Sequence, residues 1–260
     1  MISIRLMTFL RKILGYNLND IFDSVKINLR LISFKAGLEL RKLSLNCKSL
    51  EDYYKLINSF KYTFYKNSKF VVGIKFYQKK EEIIEFIKFY WKKNPKIILE
   101  IGTYEGGTLF FLSKFANPNA NIITIDLPLI RKGLGYSPAK IPFLKSFRSG
   151  KQKFYIIRKN SQNISTVEKV KRILKGRKID VLFIDGDHSY EGVKKDFENY
   201  SPFVREDGII AFHDIVEHPK KSKCKVSEFW NEIKGKYECK EFISEKQEKW
   251  AGIGLIINKK

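Results

Sequence analysis

Residues Ile97-Ile-Leu-Glu-Ile-Gly-Thr-Tyr-Glu-Gly-Gly-Thr-Leu109 decide the fold. An apolar run that stops at a glycine predicts a buried strand, and Gly106-Gly107 opens the helix that follows. Glycine permits the tight turn and puts no side chain between the main chain and a ligand, while the helix start offers free N–H groups. In a dinucleotide-binding fold this geometry holds a pyrophosphate. The carboxylate of Glu100 at the strand end points instead to a ligand with a positively charged amino group. Gly102, Thr103, Tyr104, Gly106 and Gly107 are therefore candidate cofactor contacts, although a strand-to-helix turn without a ligand reads the same way.

The pattern continues on both sides. Upstream, Ile83, Ile84, Ile87, Tyr90 and Trp91 recur at helical spacing over residues 81–93, and Asn94-Pro95 ends that helix. Downstream, Ile122-Ile-Thr-Ile-Asp126 repeats the strand signature after a helix-length gap. Further strands are expected at 154–157, 179–184 and 208–212, with helix-length connections before the last two. The pattern predicts an α/β, Rossmann-like, doubly wound and mostly parallel sheet. Residues 241–243 and 252–258 would close it as an antiparallel edge hairpin. Residues 1–74 read as a basic helical extension, with Ser49 capping a helix that begins Leu50-Glu-Asp52. Residues 75–260 read as the catalytic domain.

Composition narrows the class. A chain of 260 residues with 43% hydrophobic content suits one domain plus an appendage. Every apolar stretch falls far short of the roughly 20 residues a membrane-spanning helix needs. Residues 1–14 lack the uninterrupted apolar region of a secretory signal, so a cytoplasmic protein is expected. Cys47, Cys224 and Cys239 fall in no metal-ligand spacing and read as structural thiols of a reducing compartment. The net charge of +22 favours RNA, anionic lipid surfaces or anionic substrates. Lysine spread over nearly every segment, with abundant Ile and Asn, fits biased codon usage equally well. The basic amphipathic start could lie on an anionic membrane, pack on its own domain, or join a second subunit in a homo-oligomer.

The strand ends supply the chemistry. Asp126, about twenty residues past the glycine turn, stands where an acid accepts both hydroxyls of a ribose. Asn160-Ser161 follows the third strand, where a polar side chain meets an adenine edge or merely makes a turn. The richest stretch is Ile184-Asp-Gly-Asp-His-Ser-Tyr-Glu-Gly192, with Phe212-His-Asp214 at the next strand end. Ligands bind outside the carboxyl ends of parallel strands, so Asp185, Asp187, His188, His213 and Asp214 should share one rim. Asp185 and Asp214 suit Mg²⁺, and His213 becomes a ligand if the divalent ion is softer. Asp187 and His188 are the candidate catalytic pair. Alternatively the acids cap the next helix and the histidines satisfy local hydrogen bonds. His218 reads as a loop residue.

These residues resemble the class I methyltransferases related to cephalosporin hydroxylase-type proteins and, more distantly, macrolide-sugar and catechol-type O-methyltransferases. The resemblance covers residues 75–257, through Gln78, Pro95 to Gly102, Gly106-Gly-Thr-Leu109, Ile125-Asp-Leu-Pro128, Leu182 to Val193, Ile209 to Ile215, Val226-Ser-Glu-Phe-Trp230 and Gly252-Ile-Gly254. It implies a seven-stranded sheet carrying S-adenosylmethionine, with Glu100 and Gly102 near the methionine part, Asp126 on the ribose and Asp185 close by. It also implies Asp185 and Asp214 as metal ligands, His213 where many relatives have an acidic ligand, and His188 as general base. Asn160-Ser161 replaces the usual Asp-Ser, which leaves an uncharged acceptor for the adenine.

The reading that follows is methylation of a hydroxyl on a sugar, glycan or small metabolite, metal-assisted, with His188 taking the proton at its ordinary pKa. Residues 128–150, with Phe143 and Phe147, are expected to form a lid or an inert loop. Arg131, Lys132, Lys145 and Arg148 near the cofactor rim support an RNA methyltransferase as the rival. A non-catalytic relative docked on a membrane is the further alternative.

Overall fold

Along each central strand, successive side chains leave on opposite faces, and here both faces are covered. In the computed structural model, which describes residues 18–63, 71–129, 135–219, 221–244 and 250–259, Ile98, Ile122, Val181 and Ala211 enter one hydrophobic cluster. Leu99, Ile123, Leu182 and Phe212, their immediate neighbours in sequence, enter the other. Two buried faces explain why these strands read as continuous apolar runs.

The strands are β1 (Lys61–Thr63), β2 (Val71–Gly73), β3 (Ile97–Ile101), β4 (Asn121–Asp126), β5 (Lys153–Arg158), β6 (Ile179–Ile184), β7 (Val204–His213), β8 (Glu238–Phe242) and β9 (Ile253–Ile257). β1 and β2 pair as a small antiparallel ribbon. The other seven form one sheet in the order β5-β4-β3-β6-β7-β9-β8. Pairings from β5 through β7 are parallel, and β9 runs antiparallel to both β7 and β8. The sheet and its closing hairpin thus follow the sequence-based expectation. Strand order reverses between β3 and β6, and the crevice at such a reversal is where open α/β sheets bind ligands.

The helices are α1 (Leu18–Ser44), α2 (Leu50–Ser59), α3 (Lys80–Lys92), α4 (Gly107–Lys114), α5 (Ile141–Lys145), α6 (Ile164–Leu174), α7 (Tyr190–Tyr200) and α8 (Val226–Ile233). Ser49 caps α2 in a full capping box, its hydroxyl accepting from the Asp52 N–H while Asp52 Oδ2 accepts from the Ser49 N–H. Ala36, Leu40 and Ile57 are buried in the same cluster as α3 and α4, so helices α1 and α2 share a core with the sheet.

One expectation is corrected here. Phe143 and Phe147, read as lid residues, are at most 1% exposed and pack edge-on against each other beneath α1. An aromatic pair buried this deeply anchors its segment, since re-exposing each ring costs about 1.5–3 kcal/mol. The basic segment 1–14 and the pair Arg131 and Lys132 lie outside the described residues. No helix among the described residues is long and apolar enough to cross a membrane.

Candidate active site

A cavity of about 720 Å³ opens over the carboxyl ends of β3, β4, β5, β6 and β7, lined on one side by Gly102, Thr103 and Asp126 and on the other by Asp185, His188 and His213. The first side is built from backbone. Gly102 has φ of +92°, and a Cβ there would lie 1.8 Å from the Asp185 carbonyl oxygen. Only glycine fits where β3 turns past β6. Asp126 ties down the same turn, Oδ2 accepting from the N–H groups of Thr103 at 3.0 Å and Tyr104 at 2.5 Å, and Oδ1 from that of Leu127 at 2.6 Å. It also lines the cavity, so the carboxylate that clamps the turn is the one a ribose would meet. Gly106, at φ of +88°, starts α4, and a Cβ on Gly107 would meet the Lys75 carbonyl at 2.3 Å.

Glu100 stands one layer lower than expected. It is fully buried, does not line the cavity, and accepts through Oε2 from Thr124 at 2.7 Å, with Thr124 in turn hydrogen-bonded to Thr103. Oε1 has no protein partner. Burial, with Asp126 and Asp185 adding like charge against the Thr124 and Thr103 hydroxyls, pushes its carboxyl up to about 8. A neutral carboxylic acid supporting the turn from below replaces the expected carboxylate facing a ligand amine.

Asn160 and Ser161 both line the cavity at the end of β5. Asn160 Oδ1 already accepts from the Gln162 N–H at 2.8 Å, the hydrogen bond of a local turn. Asp187 lines the cavity beside His188, with its carboxylate engaged by local partners. Its Oδ1 accepts from the N–H and hydroxyl of Ser189, the N-cap of α7, and its Oδ2 from Gln162. Asp187 thereby orients Ser189, whose hydroxyl caps α7 by accepting from the Gly192 N–H.

The second side of the rim is built from side chains. His188 reaches Asp185 Oδ1 through Nε2 at 3.3 Å and Asp214 Oδ2 through Nδ1 at 3.1 Å. His213 Nδ1 lies 3.2 Å from Asp185 Oδ1 and 3.3 Å from Asp214 Oδ1. His218, expected to be an ordinary loop residue, brings Nε2 to 3.3 Å from Asp214 Oδ1. All three histidines of the chain therefore meet at Asp214. Exposure separates them: the His188 side chain is 43% exposed, His218 14% and His213 4%. Asp214 itself has φ of +64°, a left-handed backbone that costs a non-glycine residue energy and is often found at functional sites.

Charge follows from this packing. Hydrogen bonds donated to Asp185 and Asp214 hold the His188 imidazole well above its usual range, so it carries a proton at neutral pH. The expectation that His188 keeps an ordinary histidine pKa is thereby corrected. Burial opposes charge on His213, but the two carboxylates outweigh it and push this imidazole up to about 10. Asp185 and Asp214 are held low by the same histidines, against their burial.

Several contributors escaped the sequence reading. Gln78 donates from Nε2 to Asp185 Oδ2 at 2.7 Å and accepts at Oε1 from Thr108 at 2.9 Å, which fixes the Asp185 carboxylate. Cys224, taken for a structural thiol, has its sulfur grouped with His188 and Asp214, their ligand atoms within 4.8 Å of one another. Tyr77, Lys75, Lys159 and Trp250 complete the walls, while Lys145 and Arg148 are exposed and do not line the cavity. Tyr77, Cys224 and Trp250 lie outside the strand-end motifs, and only the fold brings them to the rim.

Residues 99–215, from the glycine strand to just past Asp214, match the model of a family described as a methyltransferase domain. Over this stretch the chain is similar to a methyltransferase domain. An uncharacterized protein of Acanthamoeba polyphaga mimivirus is 33% identical over 141 residues, and the match spans 52% of this chain and 59% of that relative. Among solved structures, the O-methyltransferase TomG from Streptomyces achromogenes, in complex with S-adenosylmethionine, has a TM-score of 0.53 at 14% identity, over 86% of this chain and 96% of its own. The O-methyltransferase from Bacillus cereus, bound to S-adenosylhomocysteine, has a TM-score of 0.51 at 13% identity, over 84% and 96%. At such identities the likeness is one of fold. It gives the sheet and the helices around it the same architecture as these two proteins.

Proposed function

We propose that the methyltransferase domain binds S-adenosylmethionine over β3 and β4 and transfers its methyl group to a hydroxyl of a sugar or other small metabolite. The single observation that carries this reading is the division of one cavity into a backbone-built cradle and a rim of carboxylates and imidazoles. The cradle fits the cofactor: at Gly102 a side chain would collide with the opposite strand end, and Asp126 presents a carboxylate where a ribose would lie. The two O-methyltransferases of like fold, described with S-adenosylmethionine and S-adenosylhomocysteine bound, support the same cofactor here. When bound, S-adenosylmethionine supplies an electrophilic methyl group.

The chain's own residues do the rest. Gly102, Thr103 and the start of α4 position the cofactor, and holding two reactants in line supplies much of the rate. His188, the most exposed imidazole of the rim, takes the acceptor's proton at Nε2 after passing its own Nε2 proton to Asp185 Oδ1, 3.3 Å away. A cavity of about 720 Å³ has the size of a small-molecule site. That favours a compact acceptor over a polymer lying in a groove.

Calorimetric titration with S-adenosylhomocysteine, followed by methyl-transfer assays over sugars and small hydroxylated acceptors, tests the proposal. Micromolar binding and transfer to a hydroxyl are expected. Absence of binding would sink it.

A further inference from the structure

The rim opposite the cradle has the donors of a metal site, and not of the metal that its two carboxylates alone suggested. We infer that Asp185, His213 and Asp214 bind a divalent ion of the zinc, cobalt and iron(II) class in preference to Mg²⁺. Each of the three offers one ligand atom, and these atoms lie within 4.8 Å of one another. His213 is 4% exposed, yet neither of its ring nitrogens makes a hydrogen bond of acceptable geometry. A buried imidazole without such a bond is costly, and a metal is one partner that would satisfy it.

The spacing agrees. His213 Nδ1 stands 3.2 Å and 3.3 Å from the nearest oxygens of Asp185 and Asp214. Donors bound to one ion at about 2.0–2.2 Å are spaced about 2.8–3.6 Å apart, from octahedral to tetrahedral geometry. Gln78 holds Asp185 Oδ2 and so leaves Oδ1 turned to His213, the kind of orienting hydrogen bond that supports metal ligands.

Donor chemistry then selects the ion. Mg²⁺ prefers oxygen and keeps several waters, whereas imidazole suits zinc, iron and nickel. An all-oxygen site would not place a buried imidazole between its two carboxylates. Nor would it gather His188, His218 and the Cys224 sulfur around the same Asp214. Any part the ion plays in catalysis rests on the methyltransferase reading, but its binding does not.

The test uses the full chain, stripped with a chelator and titrated with Co²⁺, Zn²⁺ and Mg²⁺ by calorimetry and, for Co²⁺, by visible absorption. One Co²⁺ or Zn²⁺ per chain is expected, bound at least about 100-fold more tightly than Mg²⁺, with absorption bands typical of nitrogen and oxygen ligands. His213→Ala should weaken Zn²⁺ by about 100-fold or more, and His213→Asp should shift preference toward Mg²⁺. Thermal melting of both variants establishes that they fold. Equal affinity for Mg²⁺ and Zn²⁺, no binding of either, or Zn²⁺ binding that both His213 variants leave unchanged would overturn the inference. S-adenosylhomocysteine binding is measured on the same samples. If it persists without metal binding, only the metal inference fails; if it is absent while Zn²⁺ binds, only the methyltransferase reading fails.

Discussion

The two sides of the cavity are made of different material. At the ends of β3 and β4 the shape is held by main chain: a glycine in the left-handed region and three N–H groups gathered on Asp126. At the ends of β6 and β7 it is held by side chains, each of which depends on the charge of the next. Backbone geometry tolerates changes in protonation, and a charge cluster does not. Cofactor binding and proton handling should therefore come apart under mutation.

The largest expected effect is on the side-chain half. His188→Ala should lower methyl transfer by about 10²–10⁴-fold, the usual contribution of a positioned acid or base, while the affinity for S-adenosylhomocysteine stays within about threefold. Single-turnover rates and calorimetry on the same preparation make the comparison. Equal losses in rate and affinity would mean that the two sides are one unit.

Asp126→Ala attacks the other half. It removes the acceptor of three backbone N–H groups, and hydrogen bonds to a charged group contribute about 1.5–3 kcal/mol each. Cofactor affinity should fall by roughly 10- to 100-fold and the melting temperature should drop with it. Zn²⁺ affinity at the rim should be unchanged. Asp126→Asn, which keeps Oδ1 as an acceptor, should recover part of the stability. If affinity fell with no loss of stability, the carboxylate would be a ligand contact only and the clamp would be incidental.

The same division explains what was legible in the sequence. Glycine turns, apolar strands and the capping box at Ser49 are local signals, and each stands where the spacing puts it. Asp185, His188, His213 and Asp214 were found because parallel strands end on one rim, a rule of topology. Their charge state was not legible, since it depends on which atoms meet. His218 and Cys224 were missed for the same reason, being brought to Asp214 from the loop after β7. Gln78 carried no signal of its own role, because its partner lies 107 residues away. Phe143 and Phe147 misled because their partner is α1, which nothing in the local pattern announced.

Beneath the backbone half, Glu100 offers a smaller test through pH. Its folded pKa of about 8 lies above the ordinary 4.5, so between these values the native state keeps a proton that the unfolded state has released. Stability must then fall as pH rises across that window, by up to about 1.4 kcal/mol per pH unit from this group. Glu100→Gln, neutral at every pH, removes that slope. Urea unfolding at pH 6, 7 and 8 should show the wild type losing stability relative to the variant as pH rises. Asp196, pushed up to about 7 by burial, contributes equally to both proteins and cancels. Parallel curves would mean that Glu100 is ionised and faces a cation.

The smallest effect is expected at Gln78, and it bears on how rigid the side-chain half must be. Its amide donates to Asp185 and accepts from Thr108, so it fixes the carboxylate from its place in the cavity wall. Gln78→Leu keeps the volume and removes both hydrogen bonds, at a net cost of about 0.5–1.5 kcal/mol each. Asp185 Oδ2 would then be free to rotate, and a rim that works by alignment should lose rate by about 3- to 10-fold while cofactor affinity holds. Gln78→Glu retains the shape but sets a second carboxylate against Asp185, so it should lose more than the leucine variant. If both variants lose cofactor affinity and keep their rate, Gln78 acts through Thr108 and α4 on the cradle, and the boundary between the two halves has to be drawn one strand further toward β6.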